Sequence, residues 1–98
     1  MAETNELRIA YSADDMKEYR ESKDDVLEII ELIEGIMGMD AVQEISCIAD
    51  QECLLLISLA AEENILLGKF DLEYLGVMAA RIAVGKFSRN MGLDGEAA

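Results

Sequence analysis

The sequence predicts an all-α fold: a three-helix antiparallel bundle with a short N-terminal arm, which pairing with a second copy would complete to six helices. Three observations lead there. The 98 residues contain no proline. Apolar residues recur at spacings of three and four instead of alternating. Two short glycine-led connections, at residues 38–40 and 68–71, divide one domain into three long segments. Connections this short make consecutive helices antiparallel neighbours. The second helix is expected in the middle.

Each element has its own signals. Residues 1–11 read as an arm, in which Leu7, Ile9 and Tyr11 alternate with polar residues. That stretch suits either a chain laid along the bundle or a short strand, and an arm exchanged onto a neighbouring copy is a third option. Helix one is expected over 12–37. Ser12 is a good N-cap, Asp15 stands at the third position, and Tyr11 and Met16 have the spacing of a hydrophobic staple. Tyr19, Val26, Ile30, Ile33 and Met37 then fall within about 60° of one another on a helical wheel. Gly38 is placed to end the helix. Ser22 followed by Asp25 is a second cap signal, so a break there is an alternative.

Helix two is expected over 40–67, with Asp40 as cap, Gln43 three residues on and Gly68 beyond its end. Its second half, CLLLISLAA, is apolar all round, the pattern of a helix buried on every side. A strand is the competing reading for so apolar a run. It contains one β-branched residue, Ile57, among leucines and alanines, which favours helix. Helix three is expected over 71–91, capped by Asp71, with Phe70 and Leu75 at staple spacing. Gly76, Ala79, Ala80 and Ala83 line one of its faces with small residues, and residues 92–98 read as a flexible tail.

Composition bounds the partners. Eight basic against 21 acidic residues give a formal net charge of −13. A chain so acidic repels nucleic acid and anionic lipid, both of which are bound through Lys and Arg. It suits a basic protein surface, cations, or a copy of itself. The charge is unevenly spread: residues 1–34 carry net −7, residues 35–67 net −6 with no basic residue, and residues 68–98 net zero. At 52% hydrophobic, the chain exceeds the usual ~45–50%. A domain of this size buries only about 60–65% of its unfolded surface. The excess points to a homodimer, with Leu54, Leu55, Gly76, Ala80 and Ala83 as the residues expected at the contact, although packing within the chain also explains the small-residue stripe.

Cys47 and Cys53 lie six residues apart, which on a helix separates their Cα atoms by ~9 Å and about 120°. A disulfide needs Cα atoms within ~7 Å. Both are read as buried thiols, in keeping with a reducing, cytoplasmic compartment. The opening MAETNELRIAYS has no apolar h-region, so no secretory leader is expected. The apolar run from Cys53 to Ala61 is far short of the ~18 residues that span a membrane.

Catalysis is not expected. The absence of histidine removes the commonest general base and zinc ligand and excludes Ser–His–Asp and Cys–His chemistry. No glycine-rich phosphate loop, EF-hand spacing or Glu-x-x-His pair occurs, so neither cofactor nor metal is expected. What remains is a ridge, Glu21, Asp24, Glu28 and Glu31, opposite the apolar face of helix one, with Leu32 about 20° from Glu21 on the same wheel. A solvated helix face tempered by Lys17–Glu21 and Arg20–Asp24 pairs explains the acids. A docking ridge for a basic groove explains the acids and Leu32 together.

The leading expectation is therefore a non-catalytic, stoichiometric binder of a basic protein: an inhibitor, antagonist or adaptor. Small phage or mobile-element proteins that block host nucleic-acid enzymes, anti-CRISPR proteins among them, share this size and acidity, a likeness of composition alone. The alternatives are a chaperone or assembly factor, of secretion or phage-tail type, that shields a hydrophobic segment, and a small enzyme or ligand carrier with a pocket inside the bundle.

Overall fold

The computed structural model describes residues 7–92. The order is β1 (Leu7–Arg8), α1 (Ala13–Met37), α2 (Met39–Glu62), β2 (Ile65–Leu66) and α3 (Lys69–Asn90). The three-helix antiparallel bundle and its short arm are thus present. Residues 1–6 of the expected arm and 93–98 of the expected tail lie outside the described residues.

α1 begins as its sequence requires. The Ser12 hydroxyl accepts from the Asp15 N–H at 3.0 Å, and the Asp15 carboxylate accepts from the Ser12 N–H at 2.9 Å. Two amide donors left over at the helix start are satisfied reciprocally. The helix then runs without a break through Ser22. That hydroxyl is buried and accepts a hydrogen bond from Arg81 of α3 at 3.2 Å. With its polar group engaged across the bundle, Ser22 does not compete for the local backbone.

Gly38 alone joins α1 to α2. Its φ of +88°, in the left-handed region that favours glycine, ends one helix and starts the next. Asp40 is consequently not the cap: it lies in the first turn, where its charge still suits the helix dipole.

α2 stops at Glu62, five residues before the expected Leu67. Asn64 takes a positive φ of 57°, and Ile65–Leu66 pairs in parallel with Leu7–Arg8. The Leu7 N–H donates to the Asn64 carbonyl at 2.9 Å. Beyond Glu62–Asn64 the chain resumes as a short strand, Ile65–Leu66, because the N-terminal arm supplies backbone partners from far away in sequence. α3 starts earlier than expected, capped by Gly68, with Asp71 at its third position accepting from the Gly68 N–H at 2.6 Å.

The central helix is α3, not the second helix. α3 packs most extensively on α2 and next on α1, whereas α1 and α2 touch least. The small-residue stripe explains the arrangement. Ala79 and Ala83 are 1% and 0% exposed, so the face that lets backbones approach is used inside the chain. Ile33, Ala41, Ile45, Ala83, Val84 and Phe87 form the core near the α1–α2 turn. Four of the five aromatics, Tyr11, Tyr19, Phe70 and Tyr74, gather at the other end, where Tyr19 and Tyr74 stack at 5.7 Å and Tyr11 meets Phe70 edge-on at 5.1 Å.

Candidate functional site

Among the described residues no three His, Cys, Asp or Glu side chains converge closely enough to hold a metal ion. No helix among them is long and apolar enough to cross a membrane. What the surface offers is two large exposed faces.

The first is built on α1. Glu21, Asp24, Glu28 and Glu31 are all exposed on one continuous helix. At 1.5 Å per residue the ridge is about 15 Å long. None of its carboxylates takes part in an ion pair among the described residues. The expected Lys17–Glu21 and Arg20–Asp24 pairs are not formed. The two ion pairs present join Arg81 to Glu18, at 3.8 Å, and Lys86 to Glu52.

Leu32 lies beside the ridge, 62% exposed, and it has company that the sequence reading missed. Ile29 and Ile36 are also exposed, Ile36 at 74%. The signal was available: Ile29, Leu32 and Ile36 are spaced three and four apart, a second helical seam roughly 80–100° from the core seam on a 100°-per-residue wheel. Attention to the single strongest apolar stripe hides a second one beside it.

This strip opens onto a shallow groove between α1 and α3. Asp25 and Glu28 border its α1 side together with Ile29 and Leu32. Ile29, Leu32 and Ile36 continue to Met37 and to Ser88 of α3. Asp25 and Ile29 also line a depression with Arg81 and Gly85, which in turn adjoin Met78, Ile82 and Arg89. One surface thus passes from carboxylates, over apolar side chains, to arginines.

The second face is the outside of α2. Within the run expected to be buried on every side, only Ala60 is buried. Leu54, Leu55 and Leu59 are 65%, 58% and 51% exposed. No Lys or Arg occurs from residue 35 to 67. Of the other residues expected at a self-contact, Gly76 and Ala80 are half-buried, and Ala83, fully buried inside the chain, has no surface left to offer. Cys47 is exposed and Cys53 half-buried; both are free thiols, and neither is the fully buried group the sequence suggested.

At the aromatic end the Tyr11 hydroxyl donates to the Asp71 carboxylate, whose other oxygen holds the Gly68 N–H. These two donors, the tyrosine first, hold the Asp71 carboxyl below the usual aspartate range, with Arg8 adding to the effect. Burial, followed by the carboxylate it bonds, pushes the Tyr11 phenol above its ordinary value. This contact ties the N-terminal arm to the start of α3 and supplies no reactive group to a cleft.

No family model, curated protein or solved structure matches the chain.

Proposed function

We propose that this protein is a non-catalytic, stoichiometric binder of a protein with a basic surface, acting as inhibitor, antagonist or adaptor in the manner of the small acidic proteins that phages and mobile elements use against host nucleic-acid enzymes. The reading rests on one observation: the four ridge carboxylates of α1 are exposed along a single helix and form no ion pair among the described residues. Regularly placed negative charge about 15 Å long resembles what a nucleic-acid groove is built to receive. Occupying that groove excludes the nucleic acid. The net charge of −13 steers encounter with a cationic surface. The two free thiols suit a reducing compartment such as the cytoplasm.

The test is capture from nuclease-treated lysate by wild type and by the Asp24→Lys/Glu31→Lys variant, both residues lying off the groove. Nucleic-acid-binding proteins that duplex DNA or RNA displaces should be retained by wild type and lost, at least tenfold, by the variant. Equal capture by both removes the docking reading.

A second reading is favoured by Leu54, Leu55 and Leu59, which stand exposed on α2 in an acidic surround. A chaperone shielding a hydrophobic client would use them. Salt separates the two readings, since screening weakens acidic docking while apolar contact persists or strengthens.

A further inference from the structure

Single exposed apolar side chains are ordinary on protein surfaces, but contiguous ones rimmed by polar groups mark contact sites. The α1/α3 face has that form, and its charges are ordered. Glu28 stands on the outer α1 side, Ile29, Leu32 and Ile36 in the centre with Asp25 among them, and Arg89 on the α3 side beside Arg81, which is already paired with Glu18. We infer that this face is the contact surface of a homodimer, two copies meeting about a two-fold axis that runs along the groove.

The geometry of the helices carries the argument. α1 and α3 run parallel, because each is antiparallel to α2. Tyr19 stacks on Tyr74 near their first turns, and the Arg81 guanidinium reaches back toward that end to bond Ser22. Rotation about an axis along the groove keeps each level and exchanges the sides. It therefore lays the α1 of one copy over the α3 of the other. The carboxylate flank of each then faces the arginine flank of its mate, and the isoleucines and leucine close against one another in the centre. A two-fold contact requires a surface complementary to itself, and an acidic–apolar–basic sequence is such a surface.

Arg89 sharpens the pairing. It has no acidic partner within 4.0 Å among the described residues. Its guanidinium reaches back over Gly85, where a Cβ would stand 3.6 Å from Nη1. Gly85 lines the same depression as Asp25 and Ile29. The guanidinium is thus at the level of Glu28, and the two-fold axis sets each Arg89 against the other copy's Glu28. A purely basic partner would meet two arginines here, and a purely acidic one two carboxylates. The exposed leucines of α2 offer no such order, since residues 35–67 hold no Lys or Arg and the neighbouring Lys86 of α3 is already paired with Glu52. Glu28 belongs to the ridge as well as to this contact, whereas Asp24 and Glu31 lie outside it, so the docking variant and the dimer variants test the two readings separately.

The experiment is light scattering after size exclusion on wild type, Leu32→Asp, Arg89→Glu and Leu55→Asp, with far-ultraviolet circular dichroism to verify helix content. Leu32 and Arg89 are exposed, and neither change disturbs the core. Wild type and Leu55→Asp should have the mass of two chains; Leu32→Asp and Arg89→Glu should fall twofold, to one chain, with helix content intact. Wild type at one chain, or either of the latter variants still at two, overturns the inference.

Discussion

The groove between α1 and α3 and the outer face of α2 expose comparable apolar side chains, yet they differ in what surrounds them. In the groove, Ile29, Leu32 and Ile36 lie between carboxylates and arginines. On α2, Leu54, Leu55 and Leu59 belong to a stretch without any cation. Apolar area says that a surface is uncomfortable in water; charge order says what can cover it. One face is complementary to itself. The other lies in a segment with no Lys or Arg of its own to set against a second copy's acids.

Five outcomes sharpen or break that contrast. The largest concerns the scaffold shared by both faces. Phe87 is completely buried between the helices. Replacing it by Ala should cost about 3–5 kcal/mol, seen in urea denaturation, and should remove both faces together. Second, if the groove is a dimer contact, thermal stability depends on protein concentration. The melting temperature of wild type and Leu55→Asp should rise by a few degrees for each tenfold in concentration, about 1.4 kcal/mol, and that of Leu32→Asp should not move.

Third, Asp24→Lys/Glu31→Lys should leave the mass of the particle unchanged and its stability within about 0.5 kcal/mol, because these surface groups form no ion pair or side-chain hydrogen bond among the described residues. A change in mass would mean that ridge and groove are one site. Fourth, stability should fall at both extremes of pH. The Asp71 carboxyl is held down by Tyr11, so its contribution is present above the ordinary aspartate value of about 3.9 and is lost as pH drops through the lowered one. Tyr11 and Tyr74 are raised, so theirs is present below about 10 and is lost as pH climbs beyond it. Tyr11→Phe should flatten both limbs, measured by denaturation across pH. The smallest effect is chemical: Cys47, exposed, should react with a thiol reagent in the folded protein faster than half-buried Cys53.

The helices were legible because their information is local. Ser12 and Asp15 cap α1, and Tyr19, Val26 and Ile33 mark its core face. What was not legible depends on partners distant in sequence. Nothing between Asn64 and Leu67 announces a strand; the backbone there turns away from helix because Leu7–Arg8 lies alongside. The choice of α3 as the central helix follows from which small residues meet which neighbour, a tertiary fact. The same limit applies to the sites. The ridge could be read from α1 alone, since exposure opposite a core seam follows from periodicity. The groove needed two helices brought level, Glu28 from one and Arg89 from the other, 61 positions apart in the chain. The run CLLLISLAA misled for a related reason: hydropathy reports that a segment avoids water, not that the rest of the chain is large enough to cover it.

The most direct test of the charge-ordered groove is a mixing experiment. Glu28→Arg and Arg89→Glu are made separately, and their masses are measured by light scattering, first alone and then after combination in equal amounts. Each alone should be a single chain, because like charges then meet where residue 28 of one copy faces residue 89 of the other, and the mixture should give a two-chain particle containing one of each. Singles that remain paired, or a mixture that stays at one chain, would contradict the assignment of this groove as the surface on which the protein meets its own copy.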